Sequence, residues 1–376
     1  MTVSLSPPAP QMTPLQARGP VLAAPQIAGV GTAVTAQSYS QRELLDHFRI
    51  TEPKVRSVFL NSAIERRFLT VPAIDAAGEI VPEPQGDLLR KHRRLAVDMA
   101  GRGLQASLKD AGISLSDISY LCCVTTTGFL TPGLTALLIR DLGIDPSCHR
   151  VDVVGMGCNA GLNALNGTAA WSAANPGKYA VMVCAEACSA AYVIDGTMRT
   201  AVVNSLFGDG AAAIVLHTPA RDGTEPAAQP GARILAFASH IITDAVDAMR
   251  FDWDDDQGRF SFYLDPDVPY VVGANARRVI DRVLAKAGLR QYDIRHWLVH
   301  SGGKKVIDAV RVNLGLTRYD VRHTIEVLRD YGNLSSGSFL FSYERLLAEG
   351  VVEEGDYGVL MTMGPGSTIE TAVVQW

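Results

Sequence analysis

The chain has 376 residues, of which 47% are hydrophobic and 19% charged, and its formal net charge is -5 at pH 7. This composition is typical of a soluble globular protein, long enough for two domains or one large duplicated unit. It lacks the excess of Lys and Arg that a general nucleic-acid surface needs, and no apolar run reaches the roughly 18 residues of a membrane span.

The N-terminal segment differs in composition from the rest of the chain. Residues 1–26 are rich in Pro, Ala and Gln and lack both an apolar core and a basic start. We therefore expect a disordered arm and no secretory signal. Further along, Arg90-Lys-His-Arg-Arg94 is a local cluster of positive charge. We interpret it as a solvated turn of a basic helix rather than an anion site.

Cysteine usage indicates a reducing compartment. The 6 cysteines include no CxxC pair and no Cys/His cluster with the spacing of a zinc site. His296 and His300 lie close together, but their segment is typical of a strand and has no third ligand nearby. We therefore expect reduced thiols, no metal and a cytoplasmic enzyme.

Two segments of the chain repeat the same order of elements. Residues 104–112 and 280–288 each have the pattern of an amphipathic helix that ends at Ala-Gly. A short loop and an apolar, strand-like run follow each of them, at residues 119–125 and 295–300. This repetition predicts a duplicated α/β unit with parallel sheets covered on both faces. Residues from the two halves of such a unit can meet in one site at the interface.

Cys158 lies where a β-branched run breaks at glycines and a helix-permissive stretch follows, in VDVVGMGCNAG. This pattern predicts a strand, a tight turn and a helix, with the sulfur at or just before the helix N-terminus. Unpaired N–H groups and the positive end of the helix dipole favour a thiolate there, and a thiolate is the form that attacks thioesters. The alternative is a small buried side chain, which is what most free cysteines are.

Two further residues are candidates for the same site. His300 ends a strand of the second half, and Gly302 and Gly303 let backbone and ligand approach closely. Asn333 precedes the helical stretch 339–347 and is either an N-cap or a donor that points into a cleft. Each has an ordinary structural explanation when taken singly. Together with a cysteine, they offer Claisen chemistry an acyl acceptor, a partner for its thiolate, and N–H donors for an enolate oxygen.

The chain resembles the type III polyketide synthases, the chalcone-synthase-like branch of the thiolase superfamily. The resemblance depends on five segments in the family's order: GMGCNAG, SLFGDGAAA, WLVHSGGKKVID, YGNLSSGSFLF and GVLMTMGPGSTIET. It extends from about residue 27 to residue 376. It implies an α/β fold, a thiolase-like duplicated α/β unit in five αβαβα layers. Residues 27–225 would be the N-terminal half with the nucleophilic Cys, and residues 226–376 the C-terminal half with His and Asn.

The resemblance also implies roles for individual residues. Cys158, His300 and Asn333 match the catalytic triad of the family. Phe207 and Phe262 match its two gatekeeper phenylalanines, which separate the pantetheine tunnel from the cyclisation cavity and help to orient the malonyl group.

The segment implied in coenzyme A binding departs from the family's pattern. Plant members have three basic residues there for the phosphates of coenzyme A. This chain has Lys54, Ser57 and Asn61, so only Lys54 matches, with Arg56 close enough to share the task.

The implied cavity wall contains both matches and departures. Glu186 and the Gly364-Pro365-Gly366 loop match family positions beside the cyclisation cavity. Cys188 and Ala191 replace threonines, and Thr131 replaces a methionine that reaches into the partner subunit. The pocket is therefore lined differently, and a coumaroyl-type aromatic starter is not assumed.

Within the family, the chain is most similar to bacterial members that use malonyl-CoA as both starter and extender. By that resemblance, four malonyl units yield a C8 chain that closes, loses water and leaves a dihydroxyphenylacetyl ring on coenzyme A, for antibiotic biosynthesis. No cofactor is required, because malonyl-CoA and coenzyme A are substrate and product. A homodimer and an enoyl-CoA hydratase-like partner are also implied, and neither nucleic acid nor membrane is expected as a partner.

Three alternatives stay open. The chain could be another type III polyketide synthase, such as one that makes the pentaketide tetrahydroxynaphthalene. It could be an acyl-carrier-protein-dependent ketosynthase III, which also uses Cys, His and Asn. It could also be a non-catalytic binding protein with the thiolase fold.

Overall fold

The computed structural model of the protein describes residues 24–220 and 231–376. Most of the expected N-terminal arm lies outside the described residues, and so does the expected boundary between the halves at residues 225 and 226. Within the described ranges, no helix is both long and apolar enough to cross a membrane.

Strands and helices alternate along most of the chain. The strands are β1 Gln26–Val34, β2 Ser38–Ser40, β3 Arg66–Phe68, β4 Ile118–Thr125, β5 His149–Val154, β6 Tyr179–Glu186, β7 Gly210–His217, β8 Arg233–Ile241, β9 Met249–Asp254, β10 Arg259–Leu264, β11 Ile294–Val299, β12 Tyr357–Gly364 and β13 Thr368–Gln375. The helices are α1 Gln41–His47, α2 Pro53–Leu60, α3 Gln85–Ala111, α4 Leu134–Leu142, α5 Ala160–Ala174, α6 Met198–Leu206, α7 Val268–Ala287, α8 Lys304–Leu314, α9 Arg322–Tyr331 and α10 Ser338–Glu349.

The repeat expected from the sequence is confirmed in the local structure. Helices α3 and α7 are closed by Gly112 and Gly288 at φ 68° and 70°, a left-handed conformation that glycine adopts without steric cost. A short 3-10 turn follows in each copy, at Leu115–Asp117 and Gln291–Asp293. Each turn leads directly into a buried strand, β4 or β11. The Ala-Gly pairs therefore mark the helix ends in both halves.

The main sheet consists of two blocks of strands. One block has the order β5-β4-β6-β7-β1 and the other β8-β13-β12-β11, and a single residue pair, Gln26 with Arg233, joins β1 to β8. In the described part of the chain, the pairs β4–β5, β4–β6 and β11–β12 are parallel, and the other pairs of this sheet are antiparallel. The expectation of parallel sheets is therefore wrong for those pairs. For β12 and β13 the reason is the tight turn that joins them, since strands in a hairpin must run in opposite directions.

Three layers of helices cover the two blocks. Helices α5 and α10 lie between them, where Leu165 and Phe339 pack in one core with strand residues of both blocks. Helices α3 and α4 cover the outer face of the first block. Helices α7 and α8 cover the outer face of the second. These layers confirm the expected five-layer αβαβα arrangement.

Several candidate site residues named by the sequence lie at the carboxyl ends of strands in these blocks. Cys158 follows β5, Glu186 ends β6, His300 follows β11 and Gly364 ends β12. Because β4, β5 and β6 run parallel, and β11 runs parallel to β12, loops at the carboxyl ends of neighbouring strands meet.

Candidate active site

The backbone around Cys158 forms a strand, a turn and a helix, as predicted. Gly155 and Gly157 have φ 82° and 76°, conformations that admit the sharp turn between β5 and α5. Cys158 is the middle residue of the 3-10 turn Gly157–Asn159, and this turn leads directly into α5. The residue is 7% exposed. The sulfur thus lies at the helix N-terminus.

Hydrogen bonds and burial set the protonation state of this sulfur. Sγ donates to Oγ of Ser335 at 3.6 Å, and the side chain of Asn333 also contacts it. Burial raises the pKa of Cys158 to about 12, although the hydrogen bond with Ser335 lowers it. The negative charge of Glu186 raises the pKa of Cys158 further. Desolvation therefore opposes the field of the helix N-terminus at this sulfur, and the thiolate expected from the sequence stays a prediction.

His300, the second residue of the expected triad, directly follows β11 and is buried. It is 1% exposed, and its backbone N–H donates to the carbonyl of Met361 at 2.8 Å, which anchors it to β12. Burial lowers the pKa of His300 to about 3, so the imidazole is neutral at physiological pH. Within the described residues, its Nδ1 has no hydrogen-bond partner.

The position of Asn333 decides between the two interpretations left open by the sequence. The N-cap of α10 is Gly337, so Asn333 is not the cap of that helix. Its Oδ1 accepts from the backbone N–H of Ser335 at 2.8 Å, and its Nδ2 donates to the carbonyl of Gly302 at 3.4 Å. The same side chain contacts the sulfur of Cys158, so the fold brings two residues of the expected triad together. His300 is linked to Asn333 through Gly302, whose backbone N–H donates to the carbonyl of His300 at 2.9 Å.

A cavity of about 360 Å³ opens beside Cys158. Its lining residues are Thr126, Thr127, Gly155, Gly157, Cys158, Cys188, Ala191, Tyr192, Val203, Phe207, Met249, Arg250, Phe251, Phe262, Ser335 and Pro365. The rings of Phe207 and Phe262 meet edge to face, with centroids 5.9 Å apart and planes at 87°. The expected gatekeepers therefore form one aromatic contact in the wall of this cavity.

Some residues named by the sequence do not reach this cavity. Lys54 is exposed on α2 and is absent from the lining, and Thr131 is exposed on the loop between β4 and α4. Gly364 and Gly366 flank the lining residue Pro365. A Cβ on Gly364 would lie 2.9 Å from the backbone nitrogen of Cys158, so the bare glycine lets the two loops touch.

Glu186 lies fully buried behind the cavity wall and accepts five hydrogen bonds. The backbone N–H and hydroxyl of Thr126 donate to it at 2.9 and 3.0 Å, and the hydroxyl of Thr127 donates at 3.1 Å. The hydroxyls of Ser335 and Ser336 donate at 3.3 and 2.5 Å. Burial raises the pKa of Glu186, and these donors oppose the shift. The carboxylate thus ties β6 and the loop after β4 to the Ser335–Gly337 turn of the other half.

Arg67 is a fully buried cation that sequence reasoning missed. Its Nη1 donates to the Tyr192 hydroxyl at 2.8 Å and to the carbonyls of Asn204 and Phe207 at 2.7 Å each. Its Nη2 donates to Oε1 of Gln41 at 2.8 Å. The Tyr192 hydroxyl also donates to the Phe207 carbonyl at 2.6 Å. Arg67 and Tyr192 therefore hold the backbone of the gatekeeper from behind.

Other residues of the site were missed for different reasons. Ser335 and Ser336 belong to the NLSSG segment already singled out, so their place beside Asn333 could have been inferred. Arg250, on the hairpin of β9 and β10, belongs to no motif, and only the tertiary structure brings it to the cavity. Across residues 24–220 and 231–376, no cluster of His, Cys, Asp and Glu has the arrangement of a metal site.

Comparisons with known proteins show similarity along most of the chain. The family model described as "Chalcone and stilbene synthases, N-terminal domain" matches residues 22–219, and the corresponding C-terminal model matches residues 252–376. A 3,5-dihydroxyphenylacetyl-CoA synthase of Amycolatopsis balhimycina is 66% identical over 351 residues, which cover 93% of each chain. A synthase of the same name from Streptomyces toyocaensis is 67% identical over 94% of this chain and 90% of its own.

Solved structures agree over nearly the whole described chain. PKS-I from the brown alga Ectocarpus siliculosus superposes with a TM-score of 0.85 at 27% identity, covering 94% of this chain and 98% of the other. The 1,3,6,8-tetrahydroxynaphthalene synthase of Streptomyces coelicolor A3(2) gives a TM-score of 0.83 at 26% identity, covering 93% and 99%.

Proposed function

Because the chain belongs to the chalcone and stilbene synthase family and is a type III polyketide synthase, we propose that it converts four malonyl-CoA to 3,5-dihydroxyphenylacetyl-CoA for antibiotic biosynthesis. The observation that carries this proposal is the 66% identity to a synthase of that name over 93% of the chain. The cavity of about 360 Å³ supports it, since this volume lies near the lower end of the range for small-molecule sites and suits a short polyketide.

In the proposed loading step, Cys158 accepts the starter. Its Sγ proton passes to the free ring nitrogen of His300, and the thiolate attacks the thioester carbonyl of malonyl-CoA. The coenzyme A thiolate leaves and takes the proton back from the imidazolium. Burial of both side chains favours the neutral pair at rest, so charge separation is confined to the reacting complex.

In the proposed extension step, His300 and Asn333 stabilise an enolate. The bond between the malonyl methylene and its carboxylate breaks, carbon dioxide leaves, and the electron pair moves onto the thioester oxygen. N–H donors of the two side chains bind that oxygen, and each donor of this kind is worth roughly 3–4 kcal/mol in the transition state. The enolate carbon then attacks the Cys158 thioester and releases the thiolate for the next cycle. Phe207 and Phe262 would confine the chain beside the sulfur.

The overall stoichiometry balances with no further reactant. Four malonyl-CoA give one aromatic thioester, four molecules of carbon dioxide, three of coenzyme A and one of water. The water comes from the ketone oxygen that is lost when the ring closes and becomes aromatic.

Roles for the remaining residues belong to the same proposal. Cys188, Ala191 and the Gly364-Pro365-Gly366 loop would shape the cyclisation cavity, and Glu186 would brace its wall. Lys54 would bind a coenzyme A phosphate, a role that the family resemblance alone supports.

The remaining expectations are also proposals. They are the division into halves near residue 225, a homodimer, an enoyl-CoA hydratase-like partner, and a cytoplasmic location in keeping with free cysteines.

Incubation of the purified protein with malonyl-CoA alone, followed by mass spectrometry, tests the proposal. We expect a C8 dihydroxyphenylacetyl product, as thioester or free acid. A pentaketide product would be consistent with the family but would refute the proposed C8 product. The C158A variant is the matched control, and we expect it to lose condensation while some malonyl-CoA decarboxylation persists. Normal product from C158A would refute the mechanism.

A further inference from the structure

The described cavity contains one charged group in an otherwise neutral wall. Among its lining residues, Arg250 is the sole ionised side chain, and the rest are apolar, glycine, thiol or hydroxyl residues. Arg250 lies on β9, paired with Tyr263 of β10 in the hairpin that also carries the gatekeeper Phe262. A guanidinium at the wall of an otherwise uncharged cavity can bind an anionic group of a ligand through any N–H that the protein leaves free.

The guanidinium of Arg250 is held in position by its neighbours. Its Nε donates to Oδ1 of Asp252 at 2.8 Å, and its Nη1 donates to the carbonyl of Asp247 at 2.8 Å. Its plane lies over the ring of Tyr263, with 4.4 Å between Cζ and the ring centroid. In the described part of the chain these contacts leave Nη2 as a donor for a ligand. A fixed guanidinium loses little entropy when it binds a carboxylate.

Two guanidinium groups and two carboxylates surround Tyr263 at the rim of the cavity. Asp252 also accepts from Nη2 of Arg199 at 3.1 Å, so one carboxylate faces two guanidinium groups. The ring of Tyr263 lies under both cations, since Cζ of Arg199 is 5.7 Å from its centroid. The Arg250 side chain is 43% exposed, so a substrate in the cavity can reach it. Asp265 accepts from the Tyr263 hydroxyl at 3.1 Å and is the second carboxylate of this group, so the feature that a ligand can use is the free Nη2 of Arg250 and not a net charge.

We propose that Arg250 binds the distal carboxylate of a malonyl starter and selects malonyl over acetyl priming. This inference depends on the proposed function, in which malonyl-CoA is the starter. A malonyl group joined to Cys158 through its thioester carbonyl keeps a free carboxylate at its other end, whereas an acetyl group has none. A charge-assisted hydrogen bond from Nη2 to that carboxylate stabilises the first and offers nothing to the second.

Retention of this carboxylate has a consequence for ring closure. When the C8 chain is complete, the bond between the terminal methylene and its carboxylate breaks and carbon dioxide leaves. The electron pair on that methylene forms the new bond to the internal ketone carbon, and the ketone oxygen takes a proton. The fourth carbon dioxide of the stoichiometry thus supplies the carbanion that closes the ring.

Competition between labelled acetyl-CoA and malonyl-CoA tests the role of Arg250. Wild type is expected to make C8 product without label. R250Q is expected to incorporate the label, with preference for malonyl priming reduced about tenfold, the value of one hydrogen bond to a charged group. R250K keeps the cation and is expected to fall between them. R259Q is the matched control, because Arg259 lies on the same hairpin but not in the cavity lining, and we expect it to behave as wild type.

Each outcome has a distinct meaning. The inference is overturned if wild-type product contains the acetyl label, or if R250Q excludes labelled acetyl-CoA as completely as wild type does. Either result leaves the proposed function intact. Absence of any C8 product from wild type with malonyl-CoA alone refutes the proposed function instead. A second readout needs no variant: brief exposure of wild type to malonyl-CoA, followed by intact-protein mass spectrometry, should show a malonyl group on Cys158. An acetyl adduct in its place would also overturn the inference.

Discussion

Substitution of Gly364 by alanine probes the contact between the two halves at the nucleophile. The added Cβ would lie 2.6 Å from the backbone nitrogen of Asn159 and 2.9 Å from that of Cys158. It would also lie 2.5 Å from Oδ1 of Asn159, a buried atom without a hydrogen-bond partner in the described residues. Because ordinary contact between such atoms begins near 3.4 Å, the turn that carries Cys158 must recede by somewhat less than about 1 Å.

A displacement of this size is expected to cost more activity than stability. A misplacement of about 1 Å at a reacting group lowers the rate by about 10²-fold. We expect kcat for product formation from malonyl-CoA to fall by that order in G364A, while circular dichroism keeps the wild-type spectrum.

The matched control is G167A, because a Cβ on Gly167 of α5 meets nothing within 4 Å. It should leave kcat unchanged and raise stability by up to about 1 kcal/mol, as alanine favours the helix. Folded G364A with kcat within a factor of about three of wild type would refute this account of the turn.

Three further substitutions test the buried polar groups. Burial lowers the pKa of His92 to about 4, so below pH 6.5 the folded protein binds fewer protons than the unfolded chain and loses stability as pH falls. Between pH 7.5 and 5, the free energy of unfolding measured in urea should fall by about 2 kcal/mol more in wild type than in H92Q. A difference that does not change with pH would contradict the assignment. E186Q removes the charge that raises the pKa of Cys158, so iodoacetamide should alkylate Cys158 faster in folded E186Q at pH 8, and an equal or slower rate would count against that coupling. R67M leaves the carbonyl of Asn204 and other buried acceptors without their donor. In urea titrations it should lower the free energy of unfolding by roughly 2–6 kcal/mol, and a loss under about 1 kcal/mol would show that water replaces the guanidinium.

Local structure at the site could be predicted because its signals are short in sequence. Glycines on both sides of the turn before Cys158 predict the break between β5 and α5, and the structure has left-handed backbone at Gly155 and Gly157. The Ala-Gly pairs at Gly112 and Gly288 predict where two long helices stop. Each of these features depends on φ and ψ preferences of a few adjacent residues, which the amino-acid types themselves impose.

The family motifs named the candidate site residues but did not predict their burial or their hydrogen bonds. The sequence places a cysteine at a helix N-terminus, which favours a thiolate, yet the folded chain surrounds that sulfur so completely that its pKa rises to about 12. Asn333 precedes a helix and has the sequence features of a cap, yet the cap is Gly337 and the asparagine contacts the sulfur. Burial and contact depend on segments far away in sequence, so neither outcome follows from local pattern.

By itself, the sequence predicted the α/β repeat and the turn that presents Cys158, and it named Cys158, His300 and Asn333 as the candidate catalytic set. The tertiary structure decided which strands run antiparallel, which residues enclose the cavity, and that Arg67 and Arg250 belong to the site. The physical reason is distance along the chain: Arg67 reaches the carbonyl of Phe207, and Arg250 reaches the cavity, only after β3 and the β9–β10 hairpin have packed. Long-range packing creates the charge environment and the dry volume of the site, and no short stretch of sequence contains either.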